Sequence, residues 1–219
     1  MQTFFVGSDE SLKGDTFGGI VVAAVLVDDE QKKKLAALGV TDSKLLAPNR
    51  IIALAKQIKQ ICPQHVVIDM EPIEYNQYKL TDLLNQLHHE SAQKTINLHR
   101  AAFDVSIDYD DENFATYTHI VDEFPGCTVG DVHKPKADSL YIEVAAASIL
   151  ARDAAVRQIE RLSNEIGFTI PLGSTHVADA LFQLKVSGKP PERFVKMHFK
   201  NVREALGSAY LKDQSNAFN

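Results

Sequence analysis

Several common signatures are missing from this chain. No apolar segment approaches the roughly 18 residues that a membrane-spanning helix needs. The N-terminus, MQTFFVGSDE, has neither the basic start nor the long apolar stretch of a secretory signal. No GxxxxGKS, GxxxxGKT or GxGxxG loop is present to cradle phosphates, and no HExxH pair is present to hold zinc. Internal repeats and low-complexity tracts are absent. Cysteine is scarce: Cys62 and Cys127 lack any metal-ligand spacing and read as buried thiols of a reducing compartment. These absences point to a cytoplasmic protein with no membrane role.

What is there suits one ordinary domain. The chain has 219 residues, 45% of them apolar, enough to bury a real core. Its net charge of −6 argues against bulk nucleic-acid binding, yet charge placement matters more than the sum. Between Lys185 and Lys212 lie seven Lys or Arg against Glu192 and Glu204. That segment reads either as a phosphate-contacting surface or as a solvated one.

The chain is organised around Phe4 to Gly19, FFVGSDESLKGDTFGG. The short apolar run Phe4-Phe5-Val6, bounded by Gly7, reads as a buried strand, and Ile20 to Val27 as its hairpin partner. Side chains alternate along a strand, so Asp9 and Glu10 cannot both face the same side. Two acids ending a buried strand repel and are costly to bury without a cation. Mg²⁺ or Mn²⁺ answers that need, since both prefer carboxylate oxygens; a polar turn carrying two acids is the plainer reading.

Helices are expected over Asp28–Leu38, over 48–61 behind Pro48, from about Thr81 to Ala102, and over Ile142–Ile166. Shorter ones are expected over His176–Lys185 and Phe199–Ala209. Strands are expected at His65–Met70, Thr116–Val121 and Cys127–His133, with the acidic stretch from Ala101 to Asn113 as edge and loop. Such alternation argues for an α/β fold, a mixed β-sheet flanked by helices, with further helices at the C-terminus. Residues 1–206 would form the catalytic domain and 207–219 a frayed tail.

Asp122 and Asp138 likewise follow an apolar run or sit beside a basic loop. Groups at strand ends of an α/β sheet gather, so these acids could converge with Asp9 and Glu10. Four carboxylates would offset most of the charge of two divalent ions about 3.5–4 Å apart, a pairing that serves phosphodiester cleavage.

Several blocks together resemble the type 2 ribonucleases H (ribonucleases HII and HIII). They are GSDESLKGDTFGG at Gly7–Gly19, TDSKLL from Thr41 to Leu46, IVDEF at Ile120–Phe124 and KADSLYIEVAAASILARD at Lys136–Asp153. IPLGSTHV at Ile170–Val177 and KMHFKN at Lys196–Asn201 look closer to ribonuclease HIII. The blocks follow the family's order over nearly the whole chain. The resemblance implies a ribonuclease H fold and Mg²⁺- or Mn²⁺-dependent endonucleolytic cleavage of RNA in RNA–DNA hybrids. It also implies that Asp9, Glu10, Asp122 and Asp138 hold the metals and carry catalysis. In the mechanism it suggests, Asp9 bridges two ions, Glu10 and Asp122 complete one side, and Asp138 holds the other.

The chain departs from the family where Gly-X-Gly usually follows the acids. There the backbone approaches the RNA strand and reads its 2′-hydroxyl. Here the place reads Leu12-Lys13-Gly14, and leucine does not cheaply adopt the positive φ that glycine permits. A non-catalytic or altered-substrate paralogue is therefore the rival reading. The N-terminal substrate-binding domain expected of ribonuclease HIII is absent from this sequence, and so is the aromatic of the ribonuclease HII GY-x-T segment, with Ser174 near its place.

Substrate contacts are expected from Lys13 and Gly14, from the loop Asp42, Ser43 and Lys44, from Lys136 and from His176. For Asp42 to Lys44 a capping turn is the alternative; for Lys136, an ion pair with Asp138. His88, His89 and His198 read as structural, and Asp153 as a salt-bridge partner. No protein partner is implied, and a monomer is the simplest state.

Overall fold

The computed structural model describes residues 2–41, 46–102 and 115–207. Its sheet has five strands in the order β3-β2-β1-β4-β5. They are β1 (Gln2–Ser11), β2 (Ile20–Val27), β3 (His65–Met70), β4 (Ala115–Asp122) and β5 (Val132–Lys134). β1 runs antiparallel to β2 and parallel to β4, which is parallel to β5, so the sheet is mixed as expected. The helices are α1 (Asp29–Leu38), α2 (Pro48–Ile61), α3 (Pro72–Tyr75), α4 (Leu80–Ala102), α5 (Ile142–Ile166), α6 (Ala178–Ser187) and α7 (Lys200–Leu206).

The chain divides into two compact units. The first comprises Met1–Ser11, Val21–Ile68 and Lys79–Ala154. β2 is buried along its whole length, which explains its unbroken apolar run. One cluster on β1, β2 and α4 joins Phe4, Val6, Ala24 and Leu26 to Ala92 and Ile96. A second joins Ile120 to Ala137 and Val144. The α5 end of this second cluster comes very close to β1. A Cβ built on Gly7 would stand 2.3 Å from the Glu143 carbonyl carbon and 2.4 Å from the Val144 nitrogen. Only a glycine allows strand and helix backbone to come that close. Local signals set the ends of α1: Asp28 and Gln31 form a reciprocal capping box, and Gly39 closes the helix in the left-handed conformation.

The expected strand over Cys127–His133 shrinks to β5. Gly126 and Gly130 take φ of +79° and +89°, and the Cys127 N–H turns back onto the Phe124 carbonyl at 2.9 Å. Asn85 holds this turn from α4, donating to the Gly126 carbonyl at 2.9 Å and accepting from the Thr128 N–H at 2.8 Å. Glycine punctuation thus overrode the apolar pattern. α3 was not expected; at four residues it is too short for helical periodicity to reveal. The acidic stretch 103–114 and the segment 208–219 lie outside the described residues.

The second unit comprises Leu12–Ile20, Asp69–Tyr78 and Ala155–Asn219. Its centre is the loop Leu12–Gly19. The Asp15 N–H turns back to the Leu12 carbonyl at 3.1 Å, and the Asp15 carboxylate accepts from the Gly173 N–H at 2.6 Å. Gln158 accepts from the Gly19 N–H at 2.8 Å and donates to the Met70 carbonyl at 3.0 Å. Asn201 donates to the Thr16 hydroxyl at 2.8 Å.

Lys196 ties this loop from within. Its ammonium is fully buried and donates to the Asp15 and Gly18 carbonyls at 2.7 and 2.9 Å. Burial lowers its pKa to about 7, an effect that nearby Asp15 partly offsets. Between that value and the ordinary lysine range the unfolded chain binds a proton that the folded one does not. Stability therefore gains about 1 kcal/mol per pH unit as pH rises above 7. Burial raises the Cys62 pKa to about 12, an opposing trend that sets in near the ordinary thiol value of 9.0, so the clean window lies below it. Lys196→Met leaves two acceptors unpaired, at a cost of about 1–3 kcal/mol. In urea unfolding from pH 7 to 9, the deficit of the variant should widen with pH; parallel profiles would contradict the lowered pKa.

Candidate metal and nucleic-acid site

All four predicted acids belong to the first unit. Strand alternation sets the faces of the first pair. Ser8 and Glu10 share one side of β1 with His88 of α4, which lies 2.8 Å from the Ser8 hydroxyl and 3.1 Å from Glu10 Oε2. Asp9 points the other way and is hydrogen-bonded to Ser148 of α5. The parallel register matches Ser8 with Val121, which brings Asp9 level with Asp122 at the end of β4.

Asp9 is buried, and its carboxyl is pushed well above the usual range. Desolvation is the main cause, followed by the charges of Glu10 and then Asp122; the bonds from Ser148 and from the Glu10 N–H pull the other way. Asp122 accepts from the Ala137 N–H at 2.7 Å. That bond anchors the tight turn Ala137–Ser139, at whose centre Asp138 is buried. Lys136 precedes the turn at φ +58°, an uncommon conformation for a residue with a Cβ, and its side chain is exposed.

Among the described residues no three His, Cys, Asp or Glu side chains stand together as a closed metal cage. Asp9 and Glu10 leave opposite faces of β1, and Asp122 is engaged by Ala137. The donor chemistry nevertheless fits a hard divalent cation: every candidate ligand is a carboxylate oxygen. The repulsion from Glu10 and Asp122, which adds to desolvation in holding Asp9 above its usual range, is also what a cation would relieve.

Lys13 is half-buried, while Gly14 and His176 are exposed, all in the second unit. Asp42, Ser43 and Lys44 lie outside the described residues. Leu12 takes φ +69° with its side chain buried, so leucine here adopts the conformation expected of glycine. The basic C-terminal segment is largely engaged internally. Lys185 donates to the Ala205 carbonyl at 2.9 Å, Lys189 to the Glu165 carbonyl, and Arg193 pairs with Glu165 at 2.8 Å. Asp153 pairs with Lys59 at 3.7 Å, as expected, and His198 packs against Tyr75 and Phe199. Both cysteines are free thiols.

Sequence reasoning missed Ser8, His119 and the inward turn of Lys196, and it read His88 as structural without its contact to Glu10. The alternation that separates Asp9 from Glu10 also puts Ser8 beside Glu10, so that signal was available. His88 carried only a helical position next to Leu84 and Leu87, which does not distinguish a polar partner from a core residue.

Comparison with known proteins agrees with this fold and with these blocks. The ribonuclease HII family model matches residues 6–202. Ribonuclease HIII of Geobacillus kaustophilus is 33% identical over 220 residues, covering 93% of this chain and 68% of the relative. Ribonuclease HIII of Mycoplasma pneumoniae is 34% identical, with 93% of this chain and 94% of the relative covered. The crystal structure of Bst-RNase HIII in complex with Mn²⁺ superposes with a TM-score of 0.77 at 32% identity, over 97% of this chain and 71% of that one. The sheet is accordingly ribonuclease H-like, and no described helix is long and apolar enough to cross a membrane. With the family model spanning both units and ribonuclease HIII enzymes aligned over most of its length, the chain belongs to the ribonuclease HII family.

Proposed function

We propose that this protein is a metal-dependent endonuclease that hydrolyses the RNA strand of RNA–DNA hybrids, leaving 5′-phosphate and 3′-hydroxyl ends. The observation that carries this reading is Asp9, a buried acid held above the usual range by desolvation first and then by the charges of Glu10 and Asp122, in a chain of this family. Asp9, Glu10, Asp122 and Asp138 would hold Mg²⁺ or Mn²⁺, in line with the Mn²⁺ named for the Bst-RNase HIII structure. When bound, the cations supply water activation and neutralisation of charge at the scissile phosphate.

The chain's own residues do the positioning. Asp122 fixes the turn carrying Asp138 through the Ala137 N–H, and Ser148 holds Asp9. Lys136, exposed at the start of that turn, is assigned to a substrate phosphate. Lys13, Gly14, Asp42, Ser43, Lys44 and His176 are assigned to further substrate contacts. The positive φ of Leu12 supports retention of the RNA-reading backbone and weighs against a paralogue that has lost it.

The test is cleavage of two labelled duplexes with Mn²⁺ or Mg²⁺: an RNA–DNA hybrid, and a DNA duplex carrying a single ribonucleotide. Cleavage of the hybrid alone is expected. Cleavage at the lone ribonucleotide would move the specificity toward ribonuclease HII. Failure on both, with Mn²⁺ bound and the fold intact, would favour the non-catalytic or altered-substrate reading.

A further inference from the structure

Glu10 is gripped by a buried chain of side chains that the chemistry above does not use. His88 Nε2 lies 3.1 Å from Glu10 Oε2, His88 Nδ1 lies 2.8 Å from Ser8 Oγ, and Ser8 Oγ lies 2.8 Å from His119 Nε2. Ser8 and His88 are fully buried, and the Glu10 side chain is only 4% exposed. Phe124 stacks on the His88 ring with centroids 5.3 Å apart, and the backbone N–H of His119 donates to Asp131 Oδ2 at 2.7 Å. All of these residues lie in the first unit.

A proton count gives the chain a direction. A carboxylate only accepts, so the Nε2 of His88 must carry a proton and donate it to Glu10. Ser8 has one proton, so it donates to one imidazole and accepts from the other. If His88 is neutral, His119 donates to Ser8 and Ser8 to His88. If His88 is protonated on both nitrogens, it donates to Glu10 and to Ser8, and Ser8 donates to His119. Either way the Nε2–H of His88 faces Oε2.

We propose that His88 is a positioning residue that commits Oε2 of Glu10 to an imidazole donor, making Glu10 a one-oxygen ligand selective for small octahedral cations. This rests on Glu10 being a metal ligand. Mg²⁺ requires near-ideal octahedral coordination, whereas Ca²⁺ accepts both oxygens of a carboxylate in a larger, flexible shell. With Oε2 engaged, the two-oxygen mode that suits Ca²⁺ is blocked. Ser8 and His119 hold the imidazole in the orientation that does this, as outer partners of metal ligands commonly do.

The experiment is direct titration of the full chain with Mn²⁺ and with Ca²⁺, without substrate. Native protein is compared with His88→Ala, His88→Gln and Glu10→Gln, each checked for folding by circular dichroism. His88→Ala should weaken Mn²⁺ binding about 10-fold or more and raise Ca²⁺ affinity relative to Mn²⁺. His88→Gln, whose amide N–H can face Oε2, should recover most of both effects. Unchanged Mn²⁺ affinity in folded His88→Ala, or a glutamine variant no better than alanine, overturns the proposal. If Glu10→Gln itself leaves Mn²⁺ affinity unchanged, Glu10 is not a ligand and that assignment falls first. Should His88→Ala fail to fold, Ser8→Ala carries the test one link further back. A several-fold loss of Mn²⁺ affinity is then expected, and no loss overturns the proposal.

Discussion

Under the proposed function, Asp9→Asn is expected to lower the turnover rate by about 10²-fold or more, while the metal-free protein stays folded and no less stable than the native one. The two halves of this result have one cause. In the folded chain Asp9 is desolvated and faces the charges of Glu10 and Asp122, so its carboxyl lies above its ordinary value of 3.8. The folded state therefore binds more protons than the unfolded state between that value and the raised one. Stability of the metal-free native chain falls as pH rises through this window, and the cost is fully present above it.

Asparagine keeps the shape and removes both the cost and the proposed ligand. The variant should lack this component of the pH dependence. Mn²⁺ at about 100 times its dissociation constant should stabilise the native chain by roughly 2.7 kcal/mol and the variant much less. Thermal melts across pH, with and without Mn²⁺, together with hybrid cleavage, read all of this. Undiminished cleavage by Asp9→Asn would end the proposed mechanism. A markedly lower melting temperature without metal would mean that Asp9 serves the fold instead.

Gly7→Ala is expected to be the most damaging single methyl in the first unit. Its Cβ would stand 2.3–2.5 Å from three backbone atoms of Glu143 and Val144. Backbone at the start of α5 cannot swing aside as a long side chain can, so helix and strand must separate. An overpacking cost of about 3 kcal/mol or more follows, which for a chain of this size lowers the melting temperature by roughly 6–12 °C. The displacement would carry Ser148 away from Asp9, so activity should fall even below the transition. Gly14→Ala is the matched control. Nothing lies within 4 Å of its would-be Cβ, and Gly14 is absent from the glycines at positive φ. Its melting temperature should barely move. Equal melting temperatures for the two variants would refute the close approach.

How far the residues alone reach is visible in these two sites. Alternation along a strand separates Asp9 from Glu10, and both the hairpin of β1 with β2 and the long helix α5 could be read from apolar runs and breakers. The metal-ligand assignment came from the acids' placement and from the family blocks. Their partners did not, because His88, His119 and Ser148 acquire roles only when α4, β4 and α5 are folded against β1.

The block KMHFKN shows the same limit from another side. It signals family, yet nothing in its spacing says that Lys196 turns inward to two carbonyls or that Asn201 reaches Thr16. A buried lysine contradicts its own propensity, so only tertiary structure reveals it.

Under the proposed function, leucine at position 12 has a consequence for how the loop would meet a nucleic acid. A glycine there would leave the unfolded and unbound chain many backbone states, and closing on a nucleic acid would have to freeze them. Leu12 accepts about 1–2 kcal/mol of left-handed strain and recovers it by burying its side chain against Gly18. The loop is thereby rigid in advance, a die cut before the substrate arrives. Binding then spends little on ordering, and the same stiffness narrows the range of strands the surface can accommodate.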